Sequence, residues 1–187
     1  MNQVEKLDFV HLHVHSEYSL VDGIIRIDEL VEHSENLGYH SVALTDLTNL
    51  FGLIEFYRSA RKKGIKPIVG SEINVAKDKD SISAPLVLLA INKQGYINLT
   101  KLVSKAYVEG QIDGEPTVFF SWLEEFSDGI IALSGGMDGH IGNSILAGNE
   151  QLSESRIDFF KQILNNSLSF ILTSLISLIF FKAVSLA

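Results

Sequence analysis

Residues 41–69 read SVALTDLTNLFGLIEFYRSARKKGIKPIV, and this stretch decides the fold class because it contains a strand–helix–strand unit. The short apolar runs at 41–45 and 65–69 each predict a buried strand. Between them, residues 51–63 predict an amphipathic helix that ends in three cations and is followed by Gly64, as helix C-termini commonly are. Two strands joined through a helix favour parallel pairing.

The same alternation of strand and helix patterns extends over the first 165 residues. Further strands are predicted at 8–15, 86–91 and 129–133, and further helices at 27–37, 96–108 and 121–126. Repeated βα units predict an α/β fold with a largely parallel sheet, which is either doubly wound or closed into a barrel.

Composition limits the functions that this chain can have. Its 187 residues predict one domain or slightly more. The net charge of −8 lacks the phosphate-neutralising surface that nucleic-acid binding requires, so we expect no direct contact with DNA. The chain has no cysteine, so a metal site would have to use His, Asp and Glu. The N-terminus has no secretory signal, and a cytoplasmic location is expected.

Three histidines at alternate positions, His11, His13 and His15, form the strongest candidate for a site. Side chains alternate across a strand, so all three are expected to point the same way, near the end of a strand where barrel enzymes place their chemistry. A single histidine would more often be a surface or core residue. Three in this pattern, followed by Asp22, favour a metal-binding origin.

Two more carboxylates, Asp46 and Glu72, each follow a predicted strand, at the sheet edge where functional groups collect. Each alone is equally well explained as a helix cap or a loop carboxylate. His140 is a weaker candidate, because Gly139 and Gly142 beside it mainly indicate a turn.

Five collinear segments resemble one known family. They are FVHLHVHSEYSLVDG at 9–23, ALTDLTNLFGLIEFY at 43–57, GIKPIVGSEINV at 64–75, LVLLAINKQGYINLTKLVSKAY at 86–107 and GIIALSGGMDGHIGNSILAGN at 129–149. The chain resembles the PHP (polymerase and histidinol phosphatase) domain that begins bacterial DNA polymerase III alpha subunits, with residues 1–165 as the N-terminal part of that domain. The resemblance implies an incomplete, distorted (β/α)7 TIM-like barrel.

The resemblance assigns four positions to metal ligands: His13, His15, Asp22 and Glu72. Two further ligand positions of the family carry Leu47 and Pro85 here, and neither residue can bind a metal. The resemblance therefore implies a vestigial site with no catalytic residue and no firmly held cofactor. A residual divalent ion (Zn, Mn or Mg) is the alternative.

Three functions follow as alternatives. The first is a structural module of the replicative polymerase that docks the proofreading exonuclease subunit and contacts the rest of the holoenzyme, with no polymerase site in this chain. The second is a metal-dependent phosphoesterase or 3'-5' exonuclease that uses the four ligands to activate water. The third is a membrane-anchored protein, and this alternative ranks last.

Residues 166–187 depart from the family pattern as an irregular apolar tail, and residues 162–181 contain no charged side chain. A shifted reading frame would explain this tail, and a membrane span is the competing explanation because 20 uncharged residues could cross a bilayer. A barrel interrupted near residue 165 would expose apolar surface and unpaired strand edges, so poor solubility is expected.

Overall fold

A computed structural model describes residues 9–20, 22–164 and, for the backbone alone, 168–169. The helices are α1 Ile27–Asn36, α2 Leu53–Lys62, α3 Lys93–Glu109, α4 Phe120–Glu125, α5 His140–Leu146 and α6 Glu150–Ile163, and a 3-10 turn spans Glu17–Ser19. The strands are β1 Ser41–Leu44, β2 Lys66–Ala76, β3 Ala84–Ala90, β4 Gln111–Ile112, β5 Glu115–Phe119, β6 Ile130–Leu133 and β7 Leu168–Ser169.

Strand β2 is the centre of a mixed sheet. Its first part pairs in parallel with β1, and its last residues pair in parallel with β5. Glu72 faces Val87 of antiparallel β3 on one edge and is bridged to Leu47 on the other, so β1 and β3 lie on opposite edges of β2. The strand order is β4-β5-β2-β3-β6-β7, with β1 also on β2, and over the described residues the sheet does not close.

The predicted α/β class is confirmed, but the prediction of a largely parallel sheet was wrong. Of the six described strand pairings, β2–β3, β3–β6 and β4–β5 are antiparallel. The loop at 77–83 joins β2 to β3 without a helix, and such a connection permits an antiparallel pair, whereas a parallel pair requires a longer crossover.

The two faces of the sheet have different surroundings. Ile73 and Leu88 point to the helix-covered face, where they pack with Leu99 and Leu102 of α3. Because strand residues alternate, Glu72 and Val87 point to the opposite face, where Val87 packs in a small cluster with Ala43, Leu89 and Leu133. The main core therefore lies beneath α3, and Glu72 lies on the other side of the sheet from it.

Two local predictions need correction. Residues 9–15 form no regular strand, and Val14 N–H donates to the Thr45 side chain (2.8 Å) in place of a backbone carbonyl. His140 does not lie in a turn, since it is the first residue of α5.

Most of the predicted apolar tail lies outside the described residues. Within the described part of the chain, no helix has the length and apolar character that crossing a bilayer requires.

Candidate metal centre

The segment that carries the histidines runs beside β1. Ala43 N–H donates to His11 O and Thr45 N–H donates to Val14 O, both at 2.9 Å. Thr45 is fully buried, and its hydroxyl also donates to Val14 O at 3.0 Å. These bonds place His13 and His15 next to the C-terminal end of β1.

Glu72 is fixed opposite the histidines by its own backbone. Its N–H contacts the carbonyls of Thr45 and Asp46, each at 3.2 Å, and its carbonyl accepts the Thr48 N–H at 2.6 Å. The turn after β1 thus holds the middle of β2, which points the Glu72 side chain toward the imidazoles.

Three of the four predicted ligands come together. The Nε2 atoms of His13 and His15 are 3.2 Å apart, and Glu72 Oε2 lies 3.4 Å from His15 Nε2 and in closer contact with His13 Nε2. The possible ligand atoms of His13, His15 and Glu72 all lie within 4.8 Å of one another. Two imidazoles and one carboxylate are a donor set that suits Zn²⁺ or a similar first-row ion, with coordination positions left open.

The fourth predicted ligand, Asp22, lies on the other side of the His15 ring. Its Oδ2 is 2.7 Å from His15 Nδ1. Asp22 therefore contacts His15 from outside the cluster and does not join His13, His15 and Glu72.

His11 does not join the other two histidines, so the expectation that all three converge was wrong. Its ring packs edge-on against Phe9 and Tyr39, with ring centroids 4.8 and 5.4 Å away. Because residues 9–15 are not a regular strand, strict alternation of side chains does not hold over their whole length.

Asp46 is a buried anchor and belongs to no ligand group. Its carboxylate is 1% exposed and accepts hydrogen bonds from the Ser16 N–H (2.7 Å) and from the hydroxyls of Ser16 and Ser19. Neither serine was predicted to take part in the site. Both hydroxyl residues lie within four positions after His15, but only the fold shows that they meet Asp46.

Leu47 and Pro85 stand at the two further ligand positions that the family resemblance implied. Leu47 is bridged to Glu72, and Pro85 pairs with Asn74, two residues further along β2. Paired residues point to the same face of a sheet, so both apolar side chains lie on the face that carries Glu72.

The electrostatics of the cluster are set by one carboxylate between two imidazoles. Burial alone would raise the pKa of Glu72, but hydrogen bonds from His13 and His15 outweigh burial and lower that pKa to about 2. The hydrogen bond to Glu72 raises the pKa of His15 against the effect of burial, and Asp22 adds to this rise. The two imidazole partners therefore stabilise the ionised form of Glu72.

His140 has a structural role far along the chain from this cluster. It is buried, its Nε2–H donates to Val75 O at 2.8 Å, and its ring lies 5.3 Å from that of Phe120. Burial lowers the pKa of His140. The neutral ring thus ties the start of α5 to β2.

Comparisons with known proteins agree with the resemblance seen in the sequence. A family model of the PHP domain matches residues 11–171. DNA polymerase III subunit alpha of Vibrio cholerae is 42% identical over 155 residues, which cover 82% of this chain and 13% of that protein. The Escherichia coli K12 protein of the same name is 44% identical over 156 residues, again 82% and 13%.

The chain spans about one eighth of the length of these relatives, since it covers 13% of each. Among solved structures, an amidohydrolase from Chromobacterium violaceum gives a TM-score of 0.42 at 18% identity, covering 83% of this chain and 49% of that one, values too low to relate the two functionally. The family match over residues 11–171 and the identity to two alpha subunits show that this chain belongs to the PHP domain family and corresponds to the N-terminal region of DNA polymerase III alpha subunits.

Proposed function

We propose that the chain serves DNA replication as a structural part of a DNA polymerase III alpha subunit, in which it docks the proofreading exonuclease subunit. In this proposal the described sheet is part of a distorted PHP-type barrel, and nucleotidyl transfer is performed by other parts of the alpha subunit. The observation that carries the proposal is the 42% and 44% identity to alpha subunits over 82% of the chain.

The loss of two ligand positions supports a structural role over a catalytic one. Leu47 and Pro85 offer no ligand atom on the sheet face that carries Glu72, so the donors gathered there are His13, His15 and Glu72. Three protein donors can hold one ion, whereas a centre with several ions needs more.

Docking is tested by co-purification of the full alpha subunit of the same organism with its proofreading exonuclease subunit. Exchange of the PHP region for a metal-binding PHP domain from a distant alpha subunit should abolish co-purification while polymerase activity remains. Retained co-purification by the exchanged protein would place the docking surface elsewhere and reject the proposal.

A second function, a metal-dependent phosphoesterase, is favoured by the gathered cluster of His13, His15 and Glu72. These residues would hold one divalent ion, which when bound would supply a Lewis acid and lower the pKa of a bound water. Elemental analysis of the purified chain separates the two functions. About one equivalent of Zn or Mn, lost in His13→Ala and in Glu72→Gln but kept in His33→Ala, would favour the phosphoesterase. Absence of metal after growth with Zn and Mn would reject it.

A further inference from the structure

The two nitrogens of the His15 ring face different partners. Nδ1 lies 2.7 Å from Asp22 Oδ2, whereas Nε2 faces His13 Nε2 at 3.2 Å and Glu72 Oε2 at 3.4 Å. The lone pairs of the two ring nitrogens diverge in the ring plane. A carboxylate bonded at Nδ1 therefore does not share an ion held at Nε2.

The position of Asp22 is built into the turn that follows His15. Glu17 N–H donates to Ile25 O and Asp22 N–H donates to Ser19 O, both at 2.9 Å, which closes the segment onto itself. Gly23 permits this close return, because a Cβ there would lie 1.8 Å from Ser16 O. The chain thereby brings Asp22 back against a residue seven positions earlier.

We propose that Asp22 is a positioning residue, which holds His15 in the Nδ1–H tautomer and leaves Nε2 available to an ion held with His13 and Glu72. Asp22 itself does not ligate that ion. The proposal rests on the single-ion site of the second proposed function, but its structural part applies to the metal-free protein as well. It departs from the ligand role that the family resemblance gives to Asp22.

The contact distances favour the proton on Nδ1 of His15. A neutral imidazole has one N–H, and Asp22 and the cluster compete for it. The contact to Asp22 has the length of a charge-assisted hydrogen bond, about 2.7–2.9 Å, whereas the contacts at Nε2 are longer. A carboxylate that orients a ligand histidine in this way commonly raises metal affinity by about 10–100-fold.

The test measures the ¹⁵N chemical shifts of His15 in the full metal-free chain. The spectra are recorded at a pH well above the ordinary imidazole pKa of about 6.5, so that the ring is neutral. We expect the Nδ1–H tautomer in the wild type and in Asp22→Asn, whose amide oxygen still accepts the bond. In Asp22→Ala, the proton should move to Nε2, and Zn²⁺ affinity measured by competition with a chelator should fall by about 10–100-fold. Asp158→Ala, which removes an exposed carboxylate on α6, is the matched control and should change neither quantity.

The outcomes separate this proposal from the metal site on which it rests. An unchanged His15 tautomer in a folded Asp22→Ala protein would overturn the positioning role. An equal loss of Zn²⁺ affinity in Asp22→Asn and in Asp22→Ala would also overturn it, because that result would identify Asp22 as a direct ligand. If the wild type binds no Zn²⁺ but the tautomer changes as expected, the phosphoesterase fails while Asp22 still positions His15.

Discussion

Glu72 places a single carboxylate against the imidazoles of His13 and His15, and both rings stabilise its ionised form. With no metal bound, the pKa of Glu72 is lowered to about 2 by its imidazole partners, and that of His15 is raised by Glu72. An ion that binds at His13, His15 and Glu72 would compete with protons for the same ligand atoms. Metal binding and proton release are therefore coupled at this site.

The metal-free cluster should stabilise the fold most between about pH 4.5 and 6.5, the ordinary pKa values of its carboxyl and imidazole groups. The lowered pKa of Glu72 gives stability above about pH 4.5 that is lost as the pH falls toward 2. The raised pKa of His15 gives stability below about pH 6.5 that is lost as the pH rises through that raised value. Glu72→Gln removes the first contribution and the largest cause of the second, while Asp22 still acts on His15, so its melting temperature should differ most from the wild type within this window.

Thermal melts followed by circular dichroism in the presence of a chelator measure this difference. Glu154→Gln, an exposed substitution on α6, should show a small difference that does not depend on pH. A difference between wild type and Glu72→Gln that stays constant across the whole range would contradict the coupling.

Asp46 is the second residue on which the site depends, through hydrogen bonds with no role in ligation. Asp46→Ala would leave the Ser16 N–H and the Ser16 and Ser19 hydroxyls without their buried acceptor. We expect the free energy of unfolding to fall by about 2–4 kcal/mol, as measured by urea denaturation. Asp28→Ala, which removes an exposed acceptor of the Ser59 hydroxyl, should lower it by less than about 1 kcal/mol. Similar losses in the two variants would show that Asp46 is not a buried anchor.

At the scale of elements, local patterns predicted where helices and strands lie more reliably than how they pair. The predicted helix at 51–63 and strand at 65–69 match α2 and the start of β2. The strand that became β3 was predicted, but its antiparallel direction relative to β2 was not. Pairing direction depends on the connection at 77–83 and on partners distant in sequence. Strand β2 continues beyond the predicted run as far as Ala76.

The site was predictable to the extent that it follows local periodicity. His13 and His15 share an orientation because they are two residues apart, and the family resemblance supplied Glu72. The placement of Asp22 behind His15, and of His11 against Tyr39, depends on the closed turn at 16–25 and on the irregular backbone before it. Neither feature has a periodic signature in the sequence.

The N-terminal turn of α3 packs directly on the loop before β6, and this contact requires glycine at position 95. A Cβ at Gly95 would lie 1.8 Å from the carbonyl oxygen of Gly129, which is backbone and cannot rotate away. Gly95→Ala should therefore lower the free energy of unfolding by about 2–3 kcal/mol, despite the better helix propensity of alanine. Ser104→Ala, on the exposed face of the same helix, should change it by less than about 0.5 kcal/mol in the same urea titration. If Gly95→Ala proved as mild as Ser104→Ala, the close packing of α3 on this loop would be refuted.

At the scale of the whole molecule, the net charge of −8 predicts weak attraction for DNA. It has 23 acidic and 15 basic side chains, and several of the basic ones are already engaged. Lys63 is bonded to Glu35 at 2.6 Å, and Lys105 lies over the Trp122 ring at 4.7 Å while it also pairs with Glu109. Arg61 and Lys62 are neighbouring cations in the last turn of α2.

We therefore expect the purified chain to show no saturable binding to a DNA duplex of about 20 base pairs at about 0.15 M salt, at protein concentrations up to about 10 μM. Fluorescence anisotropy of a labelled duplex measures this directly. At lower salt, any weak binding should depend on the end of α2, so the double variant Arg61→Glu, Lys62→Glu should remove it, whereas Lys161→Glu on α6 should not. A micromolar dissociation constant at about 0.15 M salt, together with an affinity that falls steeply as the salt concentration rises, would contradict this expectation. It would mean that the chain carries a phosphate-binding surface despite its overall negative charge.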